Sequence, residues 1–179
     1  MGYVTIFGLD SNRVSGFDFL NVRNLNRHGE IGNTQRGTLL ALQETLRTHG
    51  DQAIPADYDY DASFKIALLH HHLTKPDGQP AASQLLDAIN VVDLLSDMRI
   101  MRIDIALCGH ELHPLGTRAG AQRPFQFSCA GSATKQDERI NSFKVYYVES
   151  FARIAMEVYS ASTKGGIYTF VRGPKVDLT

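Results

Sequence analysis

The sequence predicts an α/β fold in which a βαβ unit runs into a set of antiparallel strands. Two observations predict the first part. Apolar runs at 3–9, 64–69 and 103–108 have the length of strands, and between them lie two stretches, 35–48 and 82–98, with apolar residues at helical spacing. A third observation predicts the rest: beyond residue 125 the helical spacing gives way to alternation. There Ala152, Ile154, Met156 and Val158 interleave with Arg153 and Glu157, the period of a half-buried strand.

Taken in order, residues 3–9 (YVTIFGL) read as a strand that stops at the turn-forming Asp10-Ser11-Asn12. A polar, Asn-, Arg- and Gly-rich stretch follows and reads as a long loop. Asn33 or Thr34 is expected to cap a helix over 35–48, with Leu39, Leu42 and Leu46 on its buried face and Gly50 ending it. The acidic, Pro-containing segment 51–61 reads as an exposed connector. The run Phe64 to Leu69 is expected to be a buried strand ending at His70. After a Pro/Gly loop at 73–81, a helix over 82–98 should bury Leu85, Ile89, Val92 and Leu95. The strand 103–108 closes on Gly109-His110, and strands are expected near 125–130, 143–149, 152–159 and 166–172.

The 179 residues are about one domain's worth of chain, and 1–179 is read as a single domain. A 43% hydrophobic and 21% charged composition suits a packed core and argues against disorder. The net charge of -1 gives no basic field for nucleic acid. No apolar run reaches the ~20 residues that span a bilayer, so no membrane partner is expected. Residues 1–10 carry no basic leader segment, and two cysteines, Cys108 and Cys129, make no disulfide framework. Both are read as buried thiols, and a reducing, cytoplasmic location is the expectation.

The histidines carry the chemistry. Five of seven fall in two clusters, His70-His71-His72 and His110/His113. Strands 64–69 and 103–108, joined through a helix, should run parallel, so their C-terminal ends emerge along one edge, where open α/β sheets place ligands. His70 and His110 stand at those ends and are candidate ligands of one transition-metal ion, because neutral imidazole suits such ions. The bland alternative is a hydrogen-bonded or solvated histidine at each strand end. His71 is the candidate substrate-facing, catalytic residue, whereas His72 reads as structural. His110-Glu111-Leu112-His113 is not the zinc-protease H-E-x-x-H: its second histidine falls at i+3, before Pro114, in a run leaving a strand.

Several motifs stand in one order. Gly8-Leu9-Asp10-Ser11-Asn12 is followed by Gly29-Glu30-Ile31-Gly32-Asn33-Thr34-Gln35 and by Leu68-Leu69-His70-His71-His72. Cys108-Gly109-His110-Glu111-Leu112-His113 and Ala130-Gly131-Ser132 with Asn141-Ser142-Phe143 complete the set. Over most of 3–159 this resembles the C-terminal half of calcineurin-like metallophosphoesterases. The resemblance implies a partial metallophosphoesterase-like β-sandwich with flanking helices, and a metal-dependent phosphoester hydrolase ancestry. It implies His70, His110 and His113 as metal ligands, divalent Mn, Fe or Zn as cofactors, and a phosphoester as substrate.

The sequence departs from that pattern in two ways. The usual G-H-x-H is here G-H-x-x-H, and the D-x-H, G-D-x-x-D and G-N-H-D/E motifs that would precede the first strand do not occur. A complete dinuclear site is therefore expected only with an N-terminal half supplied. Two readings follow: a hydrolase domain incomplete in this chain, or a catalytically inactive binding or assembly module on the same scaffold. In either case the expected partner is that N-terminal half or a second copy in a homodimer.

Overall fold

A computed structural model describes residues 2–10, 31–70, 91–108, 117–119, 125–129, 142–150, 153–164 and 167–177. Their order is β1 (Val4–Gly8), α1 (Asn33–Thr48), β2 (Phe64–Leu69), α2 (Val91–Ile100), β3 (Ile105–Cys108), β4 (Thr117–Ala119), β5 (Phe125–Cys129), β6 (Ser142–Ser150), β7 (Arg153–Lys164) and β8 (Ile167–Asp177). The result is a mixed α/β chain with two sheets. One holds five strands in the order β1-β2-β3-β5-β4, and the other holds β6-β7-β8.

β1, β2, β3 and β5 are parallel neighbours, and β4 runs antiparallel on β5. The expected meander thus begins one strand later than alternation suggested, because β5 joins the parallel sheet. β4 was not anticipated: three residues are too few to show a period. β6, β7 and β8 are antiparallel hairpin neighbours, as expected. Between Glu157 and Tyr159 the β7–β8 register shifts, and Gly173 lies across from the shift. A Cβ at Gly173 would stand 2.8 Å from the Val158 carbonyl oxygen, so only glycine allows that approach.

Side chains from alternate positions point to opposite faces of a strand, and each face of the parallel sheet has its own cluster. On one face Phe7, Leu9, Ala67, Leu69, Ala106 and Cys108 pack with α1 and α2 through Leu39, Val91, Leu94, Leu95 and Met98. On the other, Phe64 and Ile105 are buried with Ile154 of β7, and Ile66, Leu107 and Tyr146 pack against them. Cys108 is buried as expected; the Cys129 side chain lies outside the described set.

Leu39, Leu46 and Leu95 face inward as expected, but Leu42 and Val92 do not. In α1 the inward residues are Leu39 and Gln43, with Leu40 and Leu46 partly buried, while Leu42 is exposed. Gln43 is accommodated because its Nε2 donates to the Ile100 carbonyl at 3.3 Å. In α2, Val91, Leu94, Leu95 and Met98 point inward and Val92 is exposed; Leu85 and Ile89 lie outside the described residues. Gly32 occupies the N-cap position of α1 with no side-chain cap, in place of Asn33 or Thr34. At the other end the C-cap is His49, in the left-handed conformation (φ 52°), one residue before the Gly50 that was expected to end the helix.

The acidic connector is not uniformly exposed. Tyr58 and Tyr60 are buried, and the Tyr60 hydroxyl donates to the Met101 carbonyl at 2.7 Å. Tyr58 Oη and Thr5 Oγ1 hydrogen-bond at 2.7 Å, tying the connector to β1. Nor is the middle of β7 half-buried: Ile154, Ala155, Met156 and Glu157 are all buried. Among the described residues, no helix is long and apolar enough to cross a membrane.

Candidate functional site

The parallel strands end together. Gly8 pairs with Leu68, Leu69 pairs with Cys108, and the Leu9 N–H donates to the Leu68 carbonyl at 2.8 Å. Asp10 and His70 each follow that last β1–β2 pair by two residues, so they stand side by side at the C-terminal edge. The edge opens into a groove of about 780 Å³ lined by Gly8, Leu9, Asp10, Leu68, Leu69, His70, Leu107 and Cys108.

Helix α1 fixes the β1 side of this groove. The Gln35 carboxamide faces the Asp10 backbone. Oriented to satisfy both groups, it donates to the Asp10 carbonyl at 3.1 Å and accepts from the Asp10 N–H at 2.9 Å. The amide thereby holds the backbone at the end of β1 through two hydrogen bonds, which gives the glutamine of the Gly29–Gln35 motif a structural task. Ile31, fully buried, anchors the approach to the helix.

His70 is exposed at the end of β2, where the sequence placed it. His71, His110 and His113 lie outside the described residues, and so does the expected approach of His70 to His110. Among the described residues no group of three or more His, Cys, Asp or Glu is positioned to hold a metal ion. Asp10 and His70 are two donors, fewer than one catalytic ion takes from protein and fewer still than a dinuclear centre needs. The described residues therefore do not fit the implied pair of metal ions. Asp10 was missed as a site residue, although it follows its strand just as His70 follows β2. The residues making the apolar floor, Leu68 and Leu107, were read only as strand interior.

The opposite end of the sheet also gathers ionisable groups, and there each is engaged in the scaffold. Lys65 is 2% exposed; its Nζ donates to the Ser63 carbonyl at 2.7 Å and lies 4.9 Å from the Tyr60 ring centroid. Burial lowers the pKa of this amine, partly opposed by Asp104 and Asp61. Burial likewise raises the Tyr60 phenol above its ordinary value. On β7, Glu157 is 1% exposed and accepts from Arg172 Nε (2.9 Å), Tyr147 Oη (2.9 Å) and Tyr159 Oη (3.2 Å), and also from Arg172 Nη2. The Arg172 guanidinium holds the carboxyl below its ordinary value, with both phenols helping.

No family model and no curated protein matches the chain. Among solved structures it is similar to wild-type Vps29 of Entamoeba histolytica, described as complexed with Zn2+, at 18% identity over 97% of this chain and 99% of that one, with a TM-score of 0.40. It is also similar to vacuolar protein sorting 29 of Cryptosporidium parvum, at 15% identity over 98% and 82% of the two chains, with a TM-score of 0.38. At these identities and TM-scores nothing about ligand, metal or activity passes from those proteins to this chain.

Proposed function

We propose that this chain is a non-catalytic assembly module on a metallophosphoesterase-like scaffold, its two sheets forming a partial β-sandwich around Phe64, Ile105 and Ile154. One observation carries the assembly reading. On the sheet face shared with that cluster, coverage falls away towards β1: Phe64 is 2% exposed, but Leu68 is 40%, Val4 53% and Ile6 58% exposed. Register joins these residues, since Val4 pairs with Phe64, Ile6 with Ile66 and Gly8 with Leu68. They form one contiguous apolar surface across β1, the outermost described strand of the sheet, and its neighbour β2. Such surfaces mark association sites, and β1 (VTIFG) carries none of the charges or prolines that guard a sheet edge.

The occupant is a second copy of this chain. β1 is uncharged and suited to meeting its own symmetry mate, as a two-fold interface requires. Light scattering behind size exclusion tests this. The expected result is a species above the 19.8 kDa monomer that grows with concentration and is lost in the Val4→Ser, Ile6→Ser double variant. A monodisperse species near 19.8 kDa at high concentration overturns the reading.

The hydrolase reading keeps one specific support, His70 at the groove. It requires His71, His110 and His113 to join there with divalent Mn, Fe or Zn, and carboxylates that the expected N-terminal half would bring. A phosphoester would be its substrate.

A further inference from the structure

The open side of β1 carries a hydrogen-bonding pattern as well as apolar side chains. In a parallel pair, alternate residues of a strand turn both N–H and C=O towards the neighbour. Two bonds fix which residues of β1 do so: the Phe64 N–H donates to the Tyr3 carbonyl at 2.9 Å, and the Leu9 N–H to the Leu68 carbonyl at 2.8 Å. Tyr3, Thr5, Phe7 and Leu9 therefore serve β2. Val4, Ile6 and Gly8 turn their backbone groups the other way, where the described residues place no strand. Asp10 is next in that alternation, and the Gln35 carboxamide already takes its N–H and C=O, at 2.9 and 3.1 Å. Helix α1 thus closes the edge just past Gly8, and the open stretch of β1 is symmetric about Ile6.

We infer that a second copy of this chain pairs with β1 through the main chain, antiparallel across a two-fold axis at Ile6, joining the two five-stranded sheets into one. The inference rests on the self-association proposed above and adds its geometry. With the axis there, Ile6 meets its own mate and Val4 meets the second copy's Gly8, each pair exchanging two hydrogen bonds. No other two-fold register of β1 engages all three outward residues of both copies. The side chains agree with it. Val4 falls opposite a glycine where an added Cβ would meet nothing within 4 Å, and the two Ile6 side chains, 58% exposed in the single chain, lie side by side.

Isotope-filtered NMR on dimers mixed from labelled and unlabelled full chain, with amide hydrogen exchange on the same sample, tests this. The register sets Thr5 beside the second copy's Phe7 as a non-hydrogen-bonded pair, with Cα atoms about 4.5 Å apart. A Thr5 Hα–Phe7 Hα contact between copies is therefore expected. The amides of Val4, Ile6 and Gly8 should gain at least ~10-fold protection as concentration drives association, measured against the Asp10 amide that Gln35 holds throughout. Ile6→Pro removes an N–H that β2 does not use, at an edge position where proline is tolerated, and should leave the chain folded and monomeric. A dimer that is lost in the Val4→Ser, Ile6→Ser variant yet persists in Ile6→Pro, without the Thr5–Phe7 contact, packs by its faces. Self-association then stands and the paired edge is overturned. A chain that stays near 19.8 kDa overturns both. Should Ile6→Pro fail to fold, the presence or absence of the Thr5–Phe7 contact in wild type decides alone.

Discussion

Arg36 in the first turns of α1 grips Asp97 near the end of α2, with Nε 2.5 Å from Oδ2 and Nη2 3.3 Å from Oδ1. The same guanidinium reaches Asp93 at 3.0 Å. Asp97 is 5% exposed and this fork pairs its carboxylate, and the pairing raises the arginine's own pKa. Arg36→Met should therefore destabilise the chain by roughly 3 kcal/mol, because it strands a buried carboxylate. Asp97→Asn, which leaves a neutral acceptor in place, should cost less. Urea unfolding of the two variants checks the order; an Arg36→Met variant within ~0.5 kcal/mol of wild type, the range of ordinary surface changes, refutes it.

Lys65 gives the opposite sign. Its buried ammonium has one carbonyl acceptor and a ring face, so Lys65→Met should stabilise the fold at pH 7 by about 1 kcal/mol. The folded pKa lies below the usual 10.5, so the penalty is complete at pH values under the folded pKa and disappears as pH rises through 10.5. The advantage of the variant should shrink over that interval in chemical denaturation. A constant difference between pH 7 and 10.5 rules this out.

Glu157 works at the acid end. Its folded pKa is held below 4.5, chiefly by Arg172, so its contribution is present above pH 4.5 and lost as pH falls through the folded value. Wild type should lose stability across that window more steeply than Glu157→Gln. Circular dichroism in an acid titration reports the slopes, and parallel curves would show that the network does not act through charge.

As for catalysis, the isolated chain should show no metal-dependent turnover of p-nitrophenyl phosphate or its bis ester with added Mn2+, because its sequence lacks the D-x-H and G-D-x-x-D motifs that would bring a metal-bridging carboxylate. Robust turnover that disappears in His110→Ala would restore the hydrolase reading.

What the sequence disclosed and concealed follows physical lines. β2 was read to the residue because Phe64–Leu69 is an apolar run bounded by polar ones, and β1, β3 and β6 were close for the same reason. On the helices Leu39, Leu46 and Leu95 were read correctly, whereas Leu42 and Val92 were misread because they are apolar but lie on the solvent side, and spacing weighs them like any core residue. Tyr58 and Tyr60 hide in an acidic segment, and no apolar pattern announces the burial of Lys65 or Glu157, each of which is held by polar or aromatic partners instead. His70 was legible as a strand-end residue. Asp10 and the Leu68–Leu107 floor were not, since they become neighbours only through the parallel register.

That register also bears on how the chain acquires its shape. Val4 meets Phe64, sixty positions away, and Ile66 meets Ile105, whereas Val148 meets Ile154 and Lys164 meets Ile167 across short hairpin turns. Local pairings close fast and distant ones wait on loop closure, so β6, β7 and β8 should assemble first and β1 should dock late. Pulse-labelled hydrogen exchange would then find amides of 142–177 protected before those of 4–8, and the reverse order would contradict it. Until that last strand arrives, the full chain as it folds leaves Phe64 and Ile66 without their neighbours on β1, so the interval before β1 docks is one of exposure to misassembly.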